Sequence, residues 1–230
     1  MRTSWPAVTS LILLLLVNCP CDAAARTRRL YPVDEGVKDA SFARFRRELR
    51  AAVKRRDTQF VLRILDPAIM NSFGGNCGVA DFREQWHPER PRSELWPTLD
   101  EILSLGGSFS VGESASCCDP NATGVVREFC APYVFSCFPD DLEGYEYMAI
   151  TGRSVRLRQK PSLRSRVIGT LTYEIVRYSG EESGRWVGIV TCGGRHGYVS
   201  ARYVRSPIDY RARFGQVKGH WVMKALVAGD

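Results

Sequence analysis

The chain has 230 residues, 44% of them hydrophobic and 25% charged, which is enough for one large or two small domains with a real core and excludes a disordered tail. Its 32 basic residues, 27 of them arginine, outnumber 25 acidic ones and give a formal net charge of +7. Surplus arginine suits anionic envelope surfaces and implies no specific nucleic-acid partner.

Residues 1–25 are ordered like a secretory signal. Arg2 is followed by the apolar run Leu11 to Val17 and by the small residues Ala23, Ala24 and Ala25. The run is far shorter than the ~20 residues needed to cross a bilayer, so no transmembrane span is expected. The mature chain is expected to begin near Arg26, in the periplasm or outside the cell. Leu16-Val17-Asn18-Cys19 offers a second route, in which Cys19 carries a lipid anchor. Export makes disulfides the natural reading of the six remaining cysteines, Cys77, Cys117, Cys118, Cys130, Cys137 and Cys192. Six cysteines allow 15 full pairings. Zinc is the rival, but there is no Cys-x-x-Cys, and His87, His196 and His220 are widely separated. No metal or cofactor is implied.

Residues 26–37 read as a polar, irregular arm. From Asp39 to about Lys54, Phe42, Phe45, Leu49, Ala52 and Val53 recur at helical spacing, with arginines on the other faces. Asp57 can cap a second helix, Thr58 to Leu65, which Asp66-Pro67 would end. Val79 to Trp86 and Ser93 to about Leu103 predict two more helices. Ser108 to Gly124 is small, polar and cysteine-bearing and reads as a disulfide-pinned loop; Asn121-Ala122-Thr123 is a glycosylation sequon should the host be eukaryotic. Phe129 to Pro139 is the densest aromatic stretch and suits core or domain-junction packing.

The period then changes. Val155-Arg156-Leu157-Arg158 alternates, and short β runs follow at Val167–Leu171, Tyr173–Val176, Trp186–Val190 and Gly197–Val199, divided by glycine turns. Gly180 to Gly184 reads as one such turn. Pro161-Ser162, Val167-Ile168-Gly169-Thr170-Leu171, Trp186-Val187, Gly197-Tyr198-Val199 and Tyr203-Val204 follow Val-Arg-Leu-Arg in an order that resembles the bacterial SH3-like (SH3b) family over residues 149–205. That resemblance implies a five- or six-stranded barrel that binds cell-wall or peptide ligands, often beside a hydrolase. Tyr173, Trp186 and Tyr198, with Arg177 and Arg202, are then the candidate ligand contacts. The fold also wants core residues there, so Trp186 is read first as core, and Tyr198 is open between the two. Gln159-Lys160 departs from the family, which commonly has a glycine before the proline. Cys192 suggests a bridge to the first domain.

Tyr210 to Val227 reads as a β-hairpin. Because the first-region helices have apolar faces and no evident sheet of their own, the hairpin is expected to pack on them. This ending resembles NTF2-like α+β domains. The expected class is α+β: a helical or mixed first domain over 38–140, completed by the hairpin at 208–230, with the all-β barrel at 149–205 between them.

Two functions compete. One is a non-catalytic envelope module that binds peptidoglycan peptide or an envelope protein. The other is a cell-wall hydrolase, a cysteine amidase or peptidase, in which Cys77 would be the nucleophile and His87 its base.

Overall fold

The computed structural model describes residues 27–113 and 125–229. The signal, Cys19, Cys117, Cys118 and the sequon lie outside the described residues.

The first body begins with α1 (Ala40–Arg55), whose Asp39 carboxylate accepts from the Ser41 and Phe42 N–H groups at 3.0 and 3.1 Å. Its buried face is Phe42, Leu49, Ala52 and Val53. Asp57 caps α2 (Thr58–Arg63) through the Phe60 N–H. This helix stops two residues short of the expected end, because Leu65 opens a strand, β1 (Leu65–Met70). β1 is an edge strand, where Pro67 is tolerated. Next come α3 (Gly78–Trp86) and α4 (Leu95–Ser104).

The segment read as a loop from Ser108 instead opens with β2 (Ser108–Glu113), which pairs with β3 (Val125–Ala131). The short helix α5 (Tyr133–Ser136) leads toward the barrel. After the barrel, β11 (Arg211–Val217) and β12 (His220–Val227) return. Together they form a five-stranded sheet in the order β1-β12-β11-β3-β2, antiparallel except for the parallel pair β1–β12. The helices therefore do have sheet partners within the first region. β1 is hidden in the sequence by Asp66-Pro67, β2 by its small polar residues, and β3 because Phe129 to Ala131 reads as part of the aromatic stretch that follows.

Phe42 is the hub of the core. Its ring lies 4.2 Å from Phe129 and 4.9 Å from Trp221, with Phe109 and Phe214 within 6.0 Å. Asp39 adds a polar tie, accepting from Arg127 of β3 at 2.8 Å.

The barrel comprises β4 (Tyr147–Ile150), β5 (Val155–Arg158), β6 (Val167–Leu171), β7 (Ile175–Ser183), β8 (Trp186–Val190), β9 (His196–Ser200) and β10 (Val204–Arg205). Their antiparallel order is β10-β4-β7-β8-β9-β5-β6, seven strands where five or six were expected. β7 runs on through the stretch read as a turn, so the reversal falls at Gly184-Arg185. The core is aliphatic: Ile150, Val155, Leu157, Leu171, Val176, Val187, Ile189, Val199 and Val204.

The arm is ordered, contrary to its polar composition. Leu30 donates to the Tyr173 carbonyl at 2.8 Å, and Ile175 donates to that of Arg28 at 2.9 Å. Farther on, Gly107 donates to the Val33 carbonyl and Glu35 to that of Gly107, both at 2.9 Å. One short segment thus pairs with both bodies. Leu30, Tyr133, Val134, Ala149 and Ile175 form the apolar junction between them. Arg205, 6% exposed, adds a polar clamp: its guanidinium bonds to Glu101 of α4 and, at 2.6 Å, to the Tyr210 carbonyl.

No helix among the described residues is long and apolar enough to cross a membrane.

Candidate functional site

Strand parity decides which side chains the barrel offers. Val187 and Ile189 of β8 and Val199 of β9 point inward, so Trp186, Tyr198, His196 and Ser200 point outward. Trp186 is therefore not core, as first read. Its ring is half-buried on the outer face, with the Arg158 guanidinium 6.0 Å from its centroid. Arg158 is itself held, 7% exposed, by a 2.7 Å bond to the Ser165 carbonyl.

Tyr198 lies opposite both Gly188 and Arg158. Gly188 matters here because a Cβ would come within 2.3 Å of Ser179 Oγ and 3.0 Å of Glu181 Cβ. The missing side chain lets the bent part of β7 fold over β8 and bring Glu181 to the face. The Tyr198 hydroxyl donates to the Glu181 carboxylate, which raises the phenol pKa above its ordinary value. His196 Nε2 lies 3.6 Å from the other Glu181 oxygen, and its ring sits edge-on to Tyr198 at 5.5 Å. The face therefore combines two large rings, a fixed guanidinium and a carboxylate. It can give contact area to a ligand and pair with groups of either sign.

The five expected contacts do not share one face. Tyr173 has a positive φ of 54° and carries its ring against Tyr31 of the arm at 5.7 Å, with Arg153 beside it. Arg202 lies in the groove between the barrel and α4, alongside Glu101 and Arg205. Arg177 is exposed on β7. Trp186 and Tyr198 share one outer face, and Arg177, opposite Val190 whose other partner is His196, points to the far end of it. Arg158, Glu181 and His196 were missed, although Arg158 occupies a polar position of an alternating strand whose neighbour Leu157 is core.

The cysteine-nucleophile constellation does not form. Cys77 is disulfide-bonded and caps the N-terminus of α3, whereas His87 caps its C-terminus. Nine helical residues lie between them, a rise of about 15 Å. A fully paired cysteine set is not found either, since Cys130, Cys137 and Cys192 are free thiols. Each lies near a hydroxyl rather than a second sulfur: Ser110 at 3.5 Å, Ser108 at 3.7 Å and Thr27 at 3.1 Å, respectively. Burial pushes the Cys130 thiol pKa up, which keeps that sulfur protonated and unreactive. Cys192 meets the arm through Thr27 instead of bridging to the first body.

Comparison of the whole chain with curated proteins and with solved structures finds no match. A family model described as the bacterial SH3 domain matches residues 153–205. The rest of the chain lies outside that match, which gives the NTF2-like resemblance no support. Six of the barrel's seven strands, β5 to β10, fall within that match, and the segment 153–205 is a bacterial SH3 domain.

Proposed function

We propose that the protein is an exported, non-catalytic module of the bacterial envelope whose SH3 domain binds peptide, in the first instance the stem peptide of peptidoglycan. The carrying observation is the outward position of Trp186 beside Arg158 and Tyr198. A ring that the core does not need is free to contact a ligand. The exposed Arg177 suits a ligand carboxylate and Glu181 a ligand amine, and a short peptide carries both. Export rests on the charge, apolar run and small residues of 1–25. An envelope protein segment with the same chemistry is the other occupant of the same face.

The test is sedimentation of the mature protein with purified cell wall. The double variant Trp186→Ala, Tyr198→Ala should weaken co-sedimentation at least tenfold, as for anchor residues worth about 2 kcal/mol or more. Because both rings are half-exposed, Trp186→Ala alone should cost under about 1 kcal/mol in denaturant melts, against the roughly 3–5 kcal/mol of a core tryptophan. Unchanged sedimentation in the double variant rejects the face. Release of new amines or reducing ends from the wall by the unmodified protein would make it a hydrolase.

A further inference from the structure

The first body holds a second concave site that the SH3 domain does not touch. It lies between the C-terminal end of α3, the N-terminal end of α4 and Tyr210, with a volume of about 530 Å³. Trp86 and Tyr210 form its aromatic part, their rings 4.8 Å apart and edge to face. Trp86 is 6% exposed, and its buried Nε1 has no hydrogen-bond partner. That donor has almost no accessible surface and does not open to the cavity, so it serves as a reporter of the ring's surroundings and not as a ligand contact.

The rim supplies positive charge. Arg90 and Arg92 are exposed on the loop joining the two helices, and among the described residues neither forms an ion pair. The N-terminal end of the ten-residue α4 also opens here, at Glu94 and Thr98, with the Leu95 N–H already satisfied by Ser93 Oγ at 3.2 Å. The loop itself is fixed. Arg56 donates to the Pro91 carbonyl, Thr58 Oγ1 to that of Pro88 at 2.8 Å, and Ser93 Oγ to that of Trp86 at 2.6 Å. The site is therefore built before any ligand arrives, which lowers the ordering cost of binding.

We propose that this pocket binds a small organic monocarboxylate with a flat or apolar face. The carboxylate lies between the Arg90 and Arg92 guanidiniums, and the face rests on the Trp86–Tyr210 pair. Two guanidiniums against the single Glu94 carboxylate leave one net positive charge, which suits a monoanion better than a dianion. The flat part can be an aromatic ring or a sugar.

The indole N–H signal of Trp86 in a ¹⁵N–¹H spectrum reads the site directly. It is assigned by its loss in Trp86→Phe. The mature protein is titrated with benzoate, N-acetylmuramic acid, inorganic phosphate and benzyl alcohol, each to on the order of 10 mM, enough to see millimolar binding. A saturable shift of that signal with benzoate assigns an aromatic acid, and with N-acetylmuramic acid a sugar acid. Benzyl alcohol and phosphate should leave it in place. Arg90→Gln with Arg92→Gln, both on exposed positions, should weaken the response about tenfold or more while the unliganded spectrum is kept. The proposal fails if neither carboxylate moves the signal, if phosphate moves it equally, or if the arginine double variant responds as the parent does. No barrel residue lines the pocket, so the outcome is independent of wall sedimentation.

Discussion

The two bodies of this protein are assembled in opposite ways. The barrel is one continuous stretch, and β7, β8 and β9 are neighbours both in sequence and in the sheet. The first body is discontinuous: Leu65 of β1 pairs with Met223 of β12, and β3 meets β11 only after the whole barrel has been traversed. Their cores differ too. The barrel is filled by valine, isoleucine and leucine, whereas the first body is built around aromatic rings centred on Phe42. A continuous segment can carry its fold in local alternation and turns. A discontinuous one depends on contacts of long sequence separation, which are slower to form and invisible to any short window.

The sharpest way to break the pair apart is at that aromatic hub. Phe42 is fully buried, and Phe42→Ala should cost the first body about 3–5 kcal/mol. The barrel shares none of that core, so its residues should keep their hydrogen-exchange protection while the helices and the five-stranded sheet lose theirs. Loss of protection in both together would show a single cooperative unit and remove the distinction.

The same difference explains what could be read in advance. Val155-Arg156-Leu157-Arg158, the glycine turns and the Gly-Tyr-Val step placed the barrel, because each is a local pattern. The helix faces were equally plain; Asp57 caps as its residue type suggests, and Asp39, read as the first residue of the helical stretch, caps α1. The first-body sheet was not legible. Pro67 made β1 look like a helix end, and only its edge position makes a proline acceptable there. β2 has Phe109 as its one core-packed ring among small polar residues. The site was half legible. Parity with Val187 and Ile189 already turns Trp186 outward, whereas Glu181 reaches the face only because β7 bends over Gly188. Tyr173 was grouped with Tyr198 by residue type, and the fold sends it to the arm instead.

A smaller effect is expected where the two bodies are joined. Arg205 clamps the last barrel strand to Glu101 and to the Tyr210 carbonyl. Glu101 is 59% exposed and returns to water when its partner goes, and Arg205 Nε has no partner to lose. Arg205→Met keeps the packing of the stem and should therefore cost only about 1–2 kcal/mol, toward the low end for charged hydrogen bonds. Its signature is the coupling rather than the size: calorimetry should resolve the two bodies as separate transitions. A single transition at the parent temperature would assign the coupling to the Leu30–Tyr133–Ile175 junction alone.

The smallest effect separates the bodies by pH. Hydrogen bonds from the Ser41 hydroxyl and then from Arg127 hold the Asp39 carboxyl well below the usual carboxylate range. Glu35 is also held low, by Lys38 and by the Phe109 N–H. Both acids lie in the first body. Depressed folded values mean that the ionised forms favour folding. The contribution is therefore fully present above the unfolded-state pKa of about 3.9 for aspartate and fades as the pH falls through and below it. Asp39→Asn separates charge from capping, because asparagine caps a helix about as well as aspartate. At neutral pH it should cost the first body about 0.5–1 kcal/mol, mainly through the lost bond to Arg127 and the lost interaction with the helix end. The deficit should shrink as the pH is lowered below 4, because protonation takes the same charge from the parent. Asp39→Ala removes the cap as well and should keep a deficit of about 1 kcal/mol even in acid. Denaturant melts of the three proteins between pH 7 and pH 2 decide the matter. An Asp39→Asn deficit that does not change with pH would mean that the carboxylate acts only as a hydrogen-bond acceptor, and the acid sensitivity of the first body would then have to come from Glu35.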